Sequence, residues 1–482
     1  MCIVGAGFGG IGLAIRLKEA GFDDLTIVDK GDSVGGVWRD NTYPGLSCDV
    51  PSHLYSLSFE PKHDWSRRFP QRAEIHAYLE GCVERYGLGP HLRLGTEVAG
   101  AEFDEGAGRW RIRTTAGEEI EADFLVSATG QLSRPAYPAI PGLEDFEGPS
   151  FHSARWDHDV ELAGRRVAVV GAGASAIQFV PEIAREAGEL TIFQRSPNWV
   201  IPKPDRPYRG WQQRLFARFP WIQAASRAWV WLRFEFFILA FNRFRPLGRV
   251  YEHGYRRRLE REIADPELRA RLMPDYPLGC KRVLISNDWF PTLQRPDVAL
   301  VTEPIVEVRP RGIVTADGTE HPADVLILGT GFTAKDFLAP MEIRGRGGRD
   351  LNEAWRDGAE AYLGLTVAGF PNMFMLYGPN TNLGAGSIVY MLESQIEYVV
   401  EAVSTLARTR VAFMDVRPEV QSKFNEDIQS RLADSVWTGG CTSWYVTESG
   451  KVTNNWPGFT SEYRRRTRKP ELGDYELAVA RR

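Results

Sequence analysis

One design of strand, glycine-rich turn, helix and strand occurs twice in this chain, from Ile3 to Lys30 and again from Val167 to Arg195. In the first copy the apolar run Cys2-Ile3-Val4 enters Gly5-Ala-Gly7-Phe-Gly9-Gly10, and a helix follows through Ile11, Ala14, Ile15 and Leu17. Gly21 closes that helix, and the strand Leu25 to Val28 ends at Asp29. In the second copy Val167 to Val170 enters Gly171-Ala-Gly173-Ala-Ser-Ala176, a helix is expected to run to Gly188 with a kink at Pro181, and the strand Leu190 to Phe193 ends in Gln194-Arg195. A single GxGxxG says little. Here each copy follows a strand, opens a helix and is completed by a second strand, which is the context a dinucleotide site requires. The tight turn brings backbone close to a pyrophosphate, and the helix N-terminus supplies free N–H groups and the positive end of its dipole. Gly5, Gly7 and Gly10 are therefore expected at one nucleotide, and Gly171 and Gly173 at another.

The strand tips separate the two nucleotides. Asp29 stands 19 residues after Gly10, where a carboxylate accepts from a ribose 2'-hydroxyl and repels a 2'-phosphate. This predicts a plain ADP moiety at the first site, as in FAD. The second tip has no acid, and Gln194, Arg195 and Ser196 offer a guanidinium and a hydroxyl to a 2'-phosphate. NADPH is the cofactor expected there.

The fold class that follows is α/β: two Rossmann-like dinucleotide-binding domains, for FAD and NADPH, with a helical subdomain. The strand Asp123 to Ser127 runs into Ala128-Thr-Gly130, and a matching strand Asp324 to Leu328 runs into Gly329-Thr-Gly331. Each ends one nucleotide domain, so the second domain is expected to be inserted in the first, with crossings in the Pro-rich link Ser133 to Pro141 and near Phe370 to Gly378. The divisions expected are 1–140 for the first part of the FAD domain, 141–164 for a linker, 165–372 for the NADPH domain and 373–482 for the C-terminal part of the FAD domain. A helical insert is placed at about 205–275. Its aromatic segment Trp211 to Phe244 is interrupted by Arg214, Arg218, Arg227, Arg233, Glu235 and Arg243, which leaves no run of about 18 apolar residues to span a bilayer. A packed helical subdomain is the reading favoured over a membrane-surface helix, and membrane association is not expected.

A net charge of -5 and a pI near 6.0 argue against nucleic acid as a partner, and no obligate protein partner is evident. The basic run Arg464 to Lys469 reads as a solvated stretch. Cys2, Cys48, Cys82, Cys280 and Cys441 form neither a CxxC pair nor a metal-ligand spacing, so reduced thiols, no metal and a cytoplasmic enzyme are expected.

Between the nucleotide domains lies Phe146-Glu-Gly148-Pro-Ser-Phe-His152-Ser-Ala-Arg-Trp156-Asp157, which resembles the FxGxxxHxxxW[P/D] fingerprint of Baeyer-Villiger monooxygenases. A second motif of that family, GGxWxxxx[FY]PGxxxD, is matched by Gly35-Gly36-Val37-Trp38, Tyr43-Pro44-Gly45 and Asp49. The likeness continues through Lys281-Arg282, Gly329 to Phe332 and Tyr377 to Asn380, and so covers essentially the whole chain. Two departures stand out: the first strand begins almost at Met1, and Asp29 replaces the family's frequent Glu.

The resemblance implies an enzyme that inserts one oxygen atom of O2 beside the carbonyl of a ketone, giving an ester or lactone by way of a C4a-peroxyflavin. It implies Arg282 as the active-site cation, because a guanidinium cannot lose its proton beside an anion, with Asp49 to orient it. It further implies Val37, Trp38, Tyr55 and Val98 around FAD, Ala174, Ser175, Ala176 and Ile177 around the NADPH pyrophosphate, and Lys281 beside Arg195 on the 2'-phosphate. His152 and Trp156 are implied as a hinge between domains. The alternatives are a flavin monooxygenase acting on nitrogen or sulfur, and a non-catalytic flavoprotein redox sensor. A disulfide reductase would need a redox-active cysteine pair.

Overall fold

The two repeats become the centres of two five-stranded parallel sheets. The computed structural model describes residues 1–242, 245–409, 411–438, 445–447 and 449–479, without the side chains of 239–242, 245–247 and 479. In the first sheet the order is Met373–Met375, Leu125–Ser127, Cys2–Val4, Thr26–Val28 and Leu92–Arg93. In the second it is Val298–Val301, Glu189–Phe193, Arg166–Val170, Val325–Leu328 and Ser150–His152. Cys2–Val4 and, after Arg166, the rest of Arg166–Val170 are continuous apolar runs because helices and loops cover both faces of a parallel sheet.

The repeat extends beyond the nucleotide turns. Before its last strand each half carries an antiparallel meander, Val98–Asp104, Arg109–Thr114 and Glu119–Ala122 in the first and Ile305–Arg309, Gly312–Thr315 and Glu320–Pro322 in the second. Buried and exposed residues alternate along Arg109–Thr114, as expected of a strand with one face in water. The second sheet is assembled from residues 150–328 and the first from residues on both sides of it, so the second α/β unit is inserted in the first.

Three boundaries differ from the sequence expectation. The fingerprint segment is not a free link: Ser150–His152 is the edge strand of the second sheet, with His152 in register with Leu328. Gly148 is needed where that segment crosses the sheet, since a Cβ there would lie 2.3 Å from the Asp324 carbonyl oxygen. The return to the first half comes before the expected crossing near Phe370 to Gly378, because Glu342–Arg344 already pairs with Val98–Asp104. The second glycine-turn helix spans only Ala176–Ile183 and holds Pro181 inside it, ending short of Gly188. Pro181, which is buried, removes the N–H that would bond to the Ile177 carbonyl, and the helix ends two residues later.

The helical insert consists of Gly210–Arg218, Pro220–Asn242, Arg245–Glu262 and Pro266–Leu272. Among the described residues no helix is long and apolar enough to cross a membrane. Cys2, Cys48 and Cys82 are free and buried, whereas Cys280 is disulfide-bonded, which corrects the expectation of reduced thiols throughout; Cys441 lies outside the described residues. Sequence spacing carried no sign of it, because a disulfide depends on proximity in space.

Candidate active site

Both glycine turns open on one cavity of about 860 Å³. Gly5 and Gly171 hold equivalent places: each has positive φ, +111° and +109°, and a Cβ would meet the Ala128 carbonyl oxygen at 2.5 Å or that of Gly329 at 2.4 Å. Only glycine fits where two chain segments approach so closely at such a φ. One turn further, the space is open. A Cβ on Gly173 would meet nothing within 4 Å, and on Gly7 only the Cα of Gly36 at 3.8 Å. These are cradles into which a pyrophosphate fits. Gly10 has a different part, lying against the Gly5 carbonyl rather than on the wall.

At the first strand tip Asp29 is on the wall, but its carboxylate is already engaged. It accepts from the N–H of Ala6 at 2.7 Å, from Gly31 at 2.8 Å and from Arg39 Nη1 at 2.8 Å. A carboxylate has about four acceptor positions, so one remains for a ribose hydroxyl. Arg39 also bonds Asp40, leaving one net negative charge among the three groups. Sequence reading missed Arg39, since an arginine on a short helix reads as a solvated charge. Next to it Trp38 donates to the Tyr55 hydroxyl at 3.1 Å, and Tyr55 meets both Trp38 and Phe8 edge-on. Val37, Trp38, Tyr55 and Val98 all line the cavity.

At the second strand tip Arg195 and Lys281 face the cavity, and among the described residues neither has an ion-pair partner. Lys281 donates to Ser196 Oγ at 2.8 Å. Burial, then the nearby Arg195, holds its pKa below the usual lysine value. Two cations without a carboxylate fit a phosphate dianion. Gln194 does not join them: it is buried and donates to the Arg271 carbonyl. Ala174 and Ser175 are on the wall, whereas Gly171, Ala176 and Ile177 lie behind it, Ala176 and Ile177 packed in the hydrophobic core.

The two halves meet at Arg282. Its Nε donates to Asp49 Oδ2 at 2.7 Å and its Nη2 lies 2.5 Å from the same oxygen. The Asp49 carboxylate raises the Arg282 pKa and outweighs the opposing effect of burial. About a third of each side chain faces the cavity, so the cation is both fixed and available. Tyr377 and Tyr445 stand close by; burial raises the pKa of both, that of Tyr445 to about 12, so both keep their protons. Tyr377 donates to Asn382 at 2.6 Å. Lys203, a half-buried cation near Asp49, is not itself on the wall and donates to Ser47 Oγ, which is. The sequence offered no signal for Asn382 or Lys203.

His152 is 1% exposed. Its Nδ1 accepts from Ala154 N–H, its Nε2 has no partner, and burial lowers its pKa to about 4, so it is neutral at any ordinary working pH. Trp156 packs on Phe151 and Phe179. Neither residue reaches the cavity.

A family profile described as pyridine nucleotide-disulphide oxidoreductase matches residues 2–216. A relative named Baeyer-Villiger monooxygenase, from Pseudomonas aeruginosa, is 45% identical over 481 residues, covering 99% of this chain and 91% of the relative. The chain belongs to the Baeyer-Villiger monooxygenase family. Solved structures agree along the same length. An oxidized steroid monooxygenase bound to NADP superposes with a TM-score of 0.89 at 31% identity, covering 99% of both chains. OTEMO in complex with FAD and NADP gives 0.89 at 28% identity and the same coverage. The family fingerprint is thus the edge strand and short turn around His152, and the second motif supplies Trp38 and Asp49 to the cavity wall.

Proposed function

We propose that Arg282, held by Asp49, is the catalytic cation of this Baeyer-Villiger monooxygenase. The enzyme uses FAD and NADPH and inserts one oxygen atom of O2 next to a ketone carbonyl. The observation that carries the assignment is the Asp49–Arg282 pair on the wall of the one cavity that both glycine turns share. Bound FAD, reduced by NADPH, supplies the electrons that activate O2. The chain's own residues bind, orient and stabilise charge. Gly5, Gly7 and the remaining acceptor position of Asp29 suit the ADP half of FAD, and the Trp38–Tyr55 pair suits its flanking surface. Gly173, Ala174 and Ser175 suit the NADPH pyrophosphate, with Arg195 and Lys281 at the 2'-phosphate. Negative charge develops on oxygen during insertion, and a guanidinium fixed by a carboxylate needs no reorganisation to meet it. The same geometry disfavours oxygenation at nitrogen or sulfur, where a protonated oxygen donor needs no such cation.

Two outcomes are expected here. Arg195→Ala should raise the KM for NADPH by roughly 10- to 150-fold, the worth of a charged hydrogen bond at about 1.5–3 kcal/mol, and leave NADH almost unaffected. Steady-state kinetics with both nucleotides decide it, and equal losses would refute the 2'-phosphate assignment. His152 we read as a positioning residue, because its ring meets Phe332 of the cavity wall edge-on from the edge strand. His152→Ala should lower kcat several-fold with the 450 nm flavin absorbance retained. Unchanged turnover would remove that role.

A further inference from the structure

The longest helix of the insert, Pro220–Asn242, is apolar on both its sides. Its inner face packs Val230, Trp231 and Phe234 on the core and bonds through Arg227 and Glu235 to Glu393 and the start of the Thr460–Arg466 helix, while Trp221, Trp229, Leu232 and Phe236 recur along the outer face at 68%, 62%, 52% and 57% exposure. An apolar stripe of this size on a water-facing helix is made to be covered. Trp211 and Phe219 extend it onto the preceding helix and its connection. Charge gathers in the same place. Residues 205–261 contain 13 arginines, no lysine and four carboxylates (Asp205, Glu235, Glu252, Glu260), a net +9 within a chain of net -5.

A second, small cavity of about 300 Å³ opens beside the stripe, lined by Arg68, Arg206, Arg233, His53 and Trp229 among others. None of the three arginines makes an ion pair among the described residues, and the nearby Asp205 is committed to Arg67. His53 is 2% exposed with its Nε2 unpartnered, and its Nδ1 bonds Ser226. Trp229 and Arg233, one helical turn apart, join this cavity to the stripe.

We propose that the outer face of the insert docks on an anionic phospholipid bilayer, its aromatic stripe in the headgroup region and a lipid phosphate seated among Arg68, Arg206 and Arg233. Aromatic residues on one face with arginines around them are what an interfacial helix needs to lie in a membrane surface without spanning it. A second copy of the chain is the poorer occupant, because it would bring the same +9 against itself, while an anionic bilayer supplies the missing countercharge. The inner side of the helix places Phe234 next to Gly386 on the wall of the large cavity, so docking sets that cavity beside the lipid phase.

The test is co-sedimentation of the full-length, FAD-loaded protein with vesicles of phosphatidylglycerol and phosphatidylcholine, and with vesicles of phosphatidylcholine alone. Partitioning should favour the anionic vesicles by at least about 10-fold and weaken as salt is added. The double variants Trp229→Ser/Leu232→Ser and Arg206→Gln/Arg233→Gln should each lose about 10-fold or more of that binding and oxidise NADPH in solution as the parent does. Equal partitioning into both vesicles, or binding that neither variant changes, would overturn the proposal. So would a solution dimer that Trp229→Ser dissociates, which makes a second copy the occupant. Saturable binding of inorganic phosphate with NADP+ present but no vesicle binding would also overturn it, by making the small cavity a site for a free anion.

Discussion

Arg282→Ala is expected to keep its FAD and still accept electrons from NADPH, yet release hydrogen peroxide in place of ester or lactone. Only the oxygen half-reaction develops an anion that neutral groups cannot hold, and Arg282 is the cation that Asp49 fixes on the cavity wall. Removing one preorganised electrostatic donor typically costs about 10²- to 10³-fold in rate. Here the loss is compounded, since Asp49 is left unpaired and faces the same space with its own negative charge. Lys203 does not substitute, because it is not on the wall and its ammonium is already engaged by Ser47 Oγ. The readout is oxygenated product formed per NADPH consumed, which stays informative if reduction slows as well. Tight coupling in the variant would give the stabilising role to another group.

The two glycine turns should fail in different ways. Gly5→Ala forces a Cβ to 2.5 Å from the Ala128 carbonyl oxygen at a φ of +111°, and Gly171→Ala does the same against Gly329 at 2.4 Å and +109°. Neither obstacle is a flexible side chain, so the backbone must move, and the unfavourable φ adds about 1–3 kcal/mol of its own. Gly5→Ala should purify with little or no FAD. Gly171→Ala should purify yellow and be reduced by NADPH at least about 10-fold more slowly at sub-saturating nucleotide. Flavin absorbance and stopped-flow reduction separate the two, and identical behaviour would mean that the turns do not serve separate nucleotides.

The repeat was the most legible feature of the chain because each copy is local. Strand, turn, helix and strand follow one another within about thirty residues, and the special glycines are visible in the sequence itself. Asp29 could be placed by counting, but its environment could not: Arg39 reaches it from a neighbouring short helix, and nothing in the spacing of charges says which will fold onto which. The Asp49–Arg282 pair spans 233 positions, so only likeness to a family could bring its members together in advance.

Misreadings arose where a side chain's direction mattered more than its place. Gln194 sits at the strand tip as expected but points inward to Arg271, while Arg195 and Lys281 face the cavity. The fingerprint around His152 reads as a link because it lies between the two glycine-turn repeats, yet three of its residues complete a sheet edge. In the helical insert the sequence shows aromatics and arginines mixed along a helix. Which face is covered depends on Glu393 and the start of the Thr460–Arg466 helix, which lie more than 150 residues away.

The central claim, oxygen insertion beside a carbonyl, is tested most directly by turnover under ¹⁸O2 with NADPH and paired ketone and thioether substrates. The predicted result is an ester or lactone from the ketone carrying one ¹⁸O atom, formed in step with NADPH oxidation and dependent on Arg282. Labelled sulfoxide from the thioether with every ketone left unchanged would contradict it.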